Sequence, residues 1–243
     1  MTDSGIRCVA GLVMLASITA CGSPTEPQQP ISAPQTPMSA AELRTHLLPA
    51  VMPGGWTSVA EPAKERPKGT PGAAATPPTC AGLLDGQSVA DAGTAASAAS
   101  AAAVFSGGHS AGNGVIPGSE MLYSFPGDGA HQALQDMRDL VGRCRSVDLP
   151  RASWEPAVAA GFAVAEGPRL GDESLVIQAS VTMGTTGDAQ RADATVVRVG
   201  SSLVVISSVL SLTQPEADAV MSFMPLAVAQ IQSNHPEPVD AAL

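Results

Sequence analysis

The chain has 243 residues and a formal net charge of −10 at pH 7, from 22 acidic and 12 basic side chains. Proteins bind nucleic acid through clustered lysine and arginine, so this balance argues against a nucleic-acid partner. It also disfavours electrostatic attachment to anionic lipid, and aromatic side chains, at 3%, are too few for a platform that stacks sugars or bases.

The N-terminus has the pattern of a bacterial lipoprotein signal. Its apolar run, Cys8 to Ala20, spans about thirteen residues, which suits a cleaved signal and falls short of the ~20 residues of a membrane-spanning helix. The run closes on small residues and then Cys21, the thiol that would receive the lipid. We therefore expect a signal peptide over residues 1–20. The lipidated Cys21, carrying diacylglycerol and an acyl chain such as palmitate, would hold the protein to the plasma membrane on its extracytoplasmic face.

The rest of the chain divides by composition. Residues 21–38 are rich in proline, glutamine, serine and threonine, which predicts a disordered tether. Residues 39–233 carry the apolar periodicity of one domain, interrupted by a flexible loop at 62–78. Residues 234–243 form a polar tail.

Two cysteines remain in the expected mature domain, Cys80 and Cys144. Thiols oxidise outside the cytoplasm, so a structural disulfide is the expected state. A reactive thiol pair is the alternative, and it needs electropositive surroundings. Arg143 and Arg145 flank Cys144, whereas Cys80 has no basic neighbour, which favours the structural disulfide.

The first half of the domain begins with a capping box, in which Ser39 and Glu42 open a short helix. Trp56, just beyond it, is expected in the core. The alanines of Ala95–Phe105 favour a helix, but the segment ends like a strand, and we favour a strand over its second half. Ser119–Phe125 alternates in side-chain type and predicts a strand.

The clearest element is a helix over Ala130–Cys144, with Asp128 as its expected N-cap. Its apolar residues recur at spacings of three and four: Ala130, Ala133, Leu134, Met137, Leu140, Val141 and Cys144. Cys144 therefore lies on the buried stripe, which supports a core-facing disulfide to Cys80. His131 and its polar neighbours fall on the solvent side.

Four strands follow, over 157–165, 174–182, 194–199 and 203–209. Gly200-Ser201 predicts a two-residue hairpin between the last two. Thr213 and Glu216 then form a second capping box, which opens a helix that Pro225 is expected to kink. Because the strand connections are too short for parallel crossovers, we predict an α+β fold, an antiparallel sheet with helices packed on one face.

This plan resembles the actinobacterial envelope lipoproteins whose domain is similar to the extracellular sensor domain of the PknH-type serine/threonine kinases. The matching features are the lipobox Ile18–Cys21, Thr79-Cys80-Ala81 at the domain start, the strand Met121–Phe125, the helix Ala130–Cys144, and the hairpin Thr195–Val209 before a final helix. That family usually has two disulfides and a tryptophan shortly before the helix-end cysteine. Here there is one pair, and Gly142-Arg143 precede Cys144. The resemblance implies a cleft in an antiparallel sheet that binds an envelope ligand without catalysis.

One segment, residues 108–112, matches the G-x-S-x-G nucleophile elbow of α/β-hydrolases at Ser110, and Asp172 and His235 would complete the order Ser, Asp, His. The motif needs a helix directly after the serine, and the sequence Asn-Gly-Val-Ile-Pro-Gly that follows cannot form one. We therefore expect a hairpin loop and no catalytic residue. An esterase-like hydrolase that uses Ser110 is the alternative function.

Neither a metal site nor a cofactor site is indicated, because no cysteine or histidine pair has ligand spacing. Asp172 and Glu173 follow Gly171, and two carboxylates without further oxygen donors favour a turn over a cation site.

The candidate ligand-binding residues are Arg191 and Arg198, which would engage an anion, together with Met121 and Tyr123. Arg198 lies in an otherwise apolar strand, where it either points into a concave face or forms the strand's solvent side. Met121 and the other domain methionines either open a pocket for a lipid-like molecule or fill the core.

We therefore predict a non-enzymatic, monomeric envelope lipoprotein with a sensor-like or ligand-binding domain, attached to the membrane by its N-terminal lipid. Its partner would be an envelope small molecule or lipid. A scaffold for envelope proteins is a further alternative.

Overall fold

The computed structural model describes residues 36–62, 64–65, 80, 97–108, 114–149, 158–183, 188–209 and 213–233. The predicted signal peptide, Cys21, almost all of the tether, Ser110 and the polar tail lie outside these residues. So does most of the predicted loop 62–78, within which the structure places the two-residue strand Lys64–Glu65.

Ten strands, four α-helices and a short 3-10 helix (Pro53–Gly55) are defined within these ranges. In chain order the strands and α-helices are α1 (Ala40–Thr45), β1 (Val51–Met52), β2 (Trp56–Ala60), β3 (Lys64–Glu65), β4 (Ala99–Gly107), β5 (Ile116–Ser124), α2 (Gly129–Arg143), β6 (Ser146–Leu149), β7 (Val158–Glu166), β8 (Glu173–Met183), β9 (Asp188–Val199), β10 (Ser202–Ser208), α3 (Gln214–Met221) and α4 (Met224–Gln232).

The strands form one sheet in the order β1-β2-β4-β5-β10-β9-β8-β7-β6, with β3 paired to β4. Every strand pair in the described ranges is antiparallel, which confirms the predicted α+β class. The predicted hairpin at Gly200-Ser201 joins β9 to β10, and Gly200 has the positive φ, +58°, that such a turn requires of its first residue. Because β10 also pairs with β5, it joins the two halves of the sheet.

The helices pack on both faces of the sheet, which corrects the prediction that one face is covered. In β10, Leu203 and Val205 belong to the core beneath α2. Val204 and Ile206 belong to a second core with α1, α3 and α4. Consecutive apolar residues are typical of a strand that is buried on both faces, so each face of β10 needs its own cover.

The long helix and the disulfide are confirmed. All the predicted stripe residues of α2 are buried, and Cys144, at the helix end, is fully buried and bonded to Cys80. Asp128 occupies the N-cap position, but its side chain makes no capping hydrogen bond.

Both predicted capping boxes are present, at Ser39–Glu42 and at Thr213–Glu216. The final helix, expected to kink at Pro225, is divided into α3 and α4, and Pro225 lies in the first turn of α4. A proline is tolerated there because the first helical N–H groups have no intrahelical partner.

The predicted strand over the second half of Ala95–Phe105 is confirmed by β4. The predicted core residue Trp56 is also confirmed. Its ring packs 5.9 Å from that of Phe105 and 5.0 Å from that of Phe223, centroid to centroid.

At each end of the sheet, one face is covered by none of the described helices. On the α2 side, β2 and β4 expose Val59 and Val104, which lie opposite each other. On the α3–α4 side, β7 and β8 expose Ala163 and Ser180. The surface on the α3–α4 side of β7 and β8 carries polar and charged side chains.

Candidate ligand-binding groove

A shallow groove of about 230 Å³ lies across β7, β8 and β9. We call it the strand groove, and it is lined by Arg145, Gly161, Phe162, Ala163, Gln178, Ala179, Ser180 and Arg191. Strand register builds it, because Gly161 pairs with Ser180 and Ser180 pairs with Arg191. Residues directly opposite each other on neighbouring strands point to the same face. Three segments distant in sequence therefore contribute to one surface.

Arg191 is held in place by a buried carboxylate. Its Nε donates to both carboxylate oxygens of Asp193, at 2.8 and 3.0 Å. Asp193 is only 5% exposed, and its backbone is bonded to Ser208: its N–H donates to Ser208 Oγ at 2.9 Å. Within the described part of the chain, the two Nη groups of Arg191 have no protein partner.

Apart from Phe162, which belongs to the core beneath α2, the rest of the lining is small or polar. Arg145 follows the disulfide-bonded Cys144, and its carbonyl accepts from the Phe162 N–H at 3.2 Å. Ser180 lies beside Gly161, where an added Cβ would approach Ser180 Oγ to 3.1 Å. A glycine at this position therefore keeps the groove open.

The local charge is opposite in sign to that of the whole chain. Arg145 and Arg191 supply two positive charges to the strand groove, and the contacting Asp193 supplies one negative charge. The balance of these three groups is one positive charge, in a chain whose net charge is −10.

Arg198 does not join Arg191 in this groove. Its Nη1 donates to Asp172 Oδ2 at 3.1 Å, and its Nε lies 3.6 Å from Glu173 Oε2. Asp172 also accepts from the Gly200 N–H at 2.7 Å. Arg198 thus links the β9–β10 hairpin to the start of β8, and neither of the two orientations expected from the sequence describes this role.

Glu173 extends this ion-pair network to α2. It accepts from Arg138 Nη1 and lies 3.0 Å from His131 Nδ1. Burial raises the pKa of Glu173, but the hydrogen bonds and charges of Arg138 and His131 outweigh burial and hold the pKa below its ordinary value. The segment predicted as a turn is therefore a structural junction between helix and sheet.

Met121 and Tyr123 lie in the core beneath α2, and neither lines the strand groove. The Tyr123 hydroxyl donates to Met121 Sδ at 3.2 Å. Met137 and Met224 are buried in the two cores, and the half-buried Met221 accepts from Thr195 Oγ1 at 3.3 Å. The methionines thus occupy the core-filling positions that were the alternative to a lipid pocket.

The hydrolase alternative is tested only at Asp172, since Ser110 and His235 lie outside the described residues. The Asp172 carboxylate is engaged by Arg198 and by the backbone of Gly200. Nothing in its described contacts orients a histidine.

Among the described residues, no group of three or more histidine, cysteine, aspartate or glutamate side chains is placed to hold a metal ion. No helix there has the length and apolar character needed to span a membrane.

Sequence reasoning identified Arg191 but missed Arg145, Gln178 and Ser180. Arg145 lies in one segment of the sequence, Gln178 and Ser180 lie together in another, and the fold brings both segments beside Arg191. The one local signal was the spacing of Gln178 and Ser180, which are two residues apart in a predicted strand and therefore fall on one face.

The chain was compared with known protein families, curated proteins and solved structures. No family model matches the chain, and no curated protein matches it. The crystal structure of the extracellular domain of PknH from Mycobacterium tuberculosis is similar at 15% sequence identity and a TM-score of 0.48. That similarity covers 83% of this chain and 99% of the PknH domain.

Proposed function

We propose that this chain is a lipid-anchored envelope protein that binds a small molecule in the strand groove and catalyses no reaction. The signal pattern ending at Cys21 supports export and lipid attachment to the extracytoplasmic face of the plasma membrane. The Cys80–Cys144 disulfide supports the same placement, since disulfides persist in oxidising compartments.

The observation that carries the binding function is the polar groove on a part of the sheet that none of the described helices covers. A surface with only a solvent role has no need to bury a carboxylate, yet Asp193 is buried beside Arg191 and fixes the guanidinium at the groove. A concave surface with a few fixed polar groups is the usual form of a small-molecule site.

The test is native mass spectrometry of the full chain, purified in mild detergent from its host's envelope with its lipid attached. We expect a monomer that carries a co-purifying small molecule. Ala163→Trp, which fills the groove from an exposed position, should abolish the added mass. Val164→Trp is the matched control, because Val164 is the next residue of β7, is 42% exposed and points to the opposite face.

Three results would overturn the proposal. A ligand retained by Ala163→Trp would place the binding site elsewhere. A co-purifying protein in place of a small molecule would favour the envelope-scaffold alternative. Turnover of a generic ester that Ser110→Ala abolishes would establish the hydrolase alternative.

A further inference from the structure

We infer that the strand groove recognises an anionic group, a carboxylate or a phosphate, through the two Nη groups of Arg191, with Arg145 as a second cation and Asp193 as the positioning residue. This inference rests on the proposed function, and it names the chemical class of the ligand.

Arg191 keeps hydrogen-bond donors that a ligand can use. A guanidinium has five N–H donors, one on Nε and four on the two Nη atoms. Asp193 takes the Nε donor with both of its oxygens. The Nη end of the fork therefore keeps its four donors, in the planar arrangement that matches the two oxygens of a carboxylate or phosphate.

The burial of Asp193 fixes the Arg191 side chain in place. A buried carboxylate is costly unless it is paired, so the ion pair with Arg191 is held from the protein side. Arg191 itself is 33% exposed. A side chain fixed in this way loses little conformational entropy when a ligand binds, which is the advantage of a pre-organised site.

Arg198 and Arg191 differ in the number of carboxylates that surround them. Two carboxylates, Asp172 and Glu173, surround Arg198, and one of its Nη groups also contacts the Gly200 carbonyl at 3.3 Å. Arg191 faces one carboxylate, and a second arginine lines the same groove. Arg191 is thus arranged to accept one more anion, whereas Arg198 is already neutralised.

The size of the groove limits the size of the group that it can bind. Its volume of about 230 Å³ lies below the roughly 300–1,000 Å³ of sites that enclose a drug-sized ligand. It fits an anionic head with a few attached atoms. That head is either a free small anion or the headgroup of a lipid whose apolar part stays outside the groove.

The experiment is a titration of the 15N-labelled full chain in detergent micelles with inorganic phosphate and, separately, with acetate, followed by NMR. We expect the shifts to be confined to β7, β8 and β9 around Ala163, Gln178, Ser180 and Arg191. Arg191→Gln should weaken phosphate binding about tenfold or more, because it removes the charge-assisted pair. Arg169→Gln is the control, since it makes the same charge change at an exposed loop position outside the groove.

The positioning role of Asp193 is tested by an NMR resonance of the Arg191 side chain. The Nε–H resonance of Arg191 should be sharp and protected from solvent exchange in the wild type. Asp193→Asn should expose it to exchange and weaken phosphate binding, while the dispersion of the rest of the spectrum persists. Arg191→Lys keeps the charge and loses the fork, so it should bind more weakly than the wild type.

A second experiment distinguishes a lipid headgroup from a free small anion. Zwitterionic vesicles, with and without an added phosphate-monoester lipid, are compared by co-sedimentation. Binding that rises above the level of the anchor only when that lipid is added, and that returns to the anchor level in Arg191→Gln, would indicate a lipid headgroup. Phosphate binding without vesicle binding beyond that of the anchor would indicate a free small anion.

The inference is overturned if phosphate and acetate shift no groove resonance, or if Arg191→Gln and Arg169→Gln reduce binding equally. The proposed function is judged separately by the Ala163→Trp variant. A co-purified ligand lost in Ala163→Trp and kept in Arg191→Gln would leave the binding function standing and exclude anion recognition.

Discussion

Leu48 and Glu120, 72 residues apart in sequence, are joined inside the protein by a hydrogen bond of 2.7 Å from the Leu48 N–H to Glu120 Oε2. Glu120 is fully buried, and its Oε1 has no hydrogen-bonding partner among the described residues. Burial raises its pKa to about 8, against the smaller lowering effect of the Leu48 N–H. The segment that follows the predicted tether is therefore fastened to β5 through a carboxyl group that is neutral at pH 7.

Glu120 predicts a loss of stability with rising pH. Between its ordinary pKa near 4.5 and its folded pKa near 8, the folded state holds a proton that the unfolded state has released. The free energy of unfolding therefore falls as pH rises through this window, by at most about 1.4 kcal/mol per pH unit from this group. Glu120→Gln should match the wild type near pH 4.5 and exceed its stability at pH 8, as measured by urea unfolding at each pH.

The variant is its own control for all other titrating groups, because they are shared with the wild type. Only the difference between the two stability curves belongs to Glu120. Curves that stay parallel from pH 4.5 to 8 would show that Glu120 is ionised in the folded protein.

Local elements were accessible from the sequence because their causes are local. The capping pairs Ser39–Glu42 and Thr213–Glu216 use backbone groups within one helical turn, and both are present. The stripe of α2 repeats at helical spacing, and all of it is buried. The Gly200 turn depends on a single positive φ.

The features that the sequence did not predict depend on how distant strands pair and how the helices pack on them. In β5 both faces are buried, so the alternation of its side chains carries no sign that Glu120 lies in the core. Likewise, Arg191 and Arg198 lie in the same strand, but seven residues apart they fall on opposite faces of the sheet. Which of them meets a free surface depends on where α2, α3 and α4 pack.

Glu173 predicts a second and opposite pH dependence. Its lowered pKa means that its contribution to stability is present above the ordinary carboxyl range and is lost as pH falls through its folded pKa. Glu173→Gln should destabilise the protein by about 1–2 kcal/mol at pH 7, since Arg138 and Arg198 each lose a carboxylate partner. Glu166→Gln, at an exposed carboxylate, is the matched control in urea unfolding at pH 7, and an equal effect of the two would contradict the network.

The disulfide predicts a large dependence on oxidation state. Cys80 and Cys144 are 64 residues apart, and the loop-closure estimate for a bridge of that span is about 4 kcal/mol. The double variant Cys80→Ser, Cys144→Ser should lower the free energy of unfolding by about that amount. Reductant should lower the wild type to the same level and leave the variant unchanged. A loss below about 1 kcal/mol would mean that the core holds the end of α2 without the bridge.

Gly171 gives a steric prediction that tests the junction at Arg198. It has a φ of +60°, and a Cβ there would lie 2.3 Å from the Arg198 carbonyl oxygen. Gly171→Ala must displace that carbonyl and with it the 2.9 Å hydrogen bond from the Asp172 N–H. We expect a destabilisation of about 3 kcal/mol or more in urea unfolding, from backbone strain and steric overlap together.

Gly127 separates those two contributions. Its φ is +54°, but a Cβ there meets nothing within 4 Å. Gly127→Ala therefore carries the cost of the left-handed backbone alone, about 1 kcal/mol. If Gly171→Ala costs no more than Gly127→Ala, the turn before β8 is free to move away from Arg198. The ion pair of Arg198 with Asp172 would then have no rigid backbone behind it.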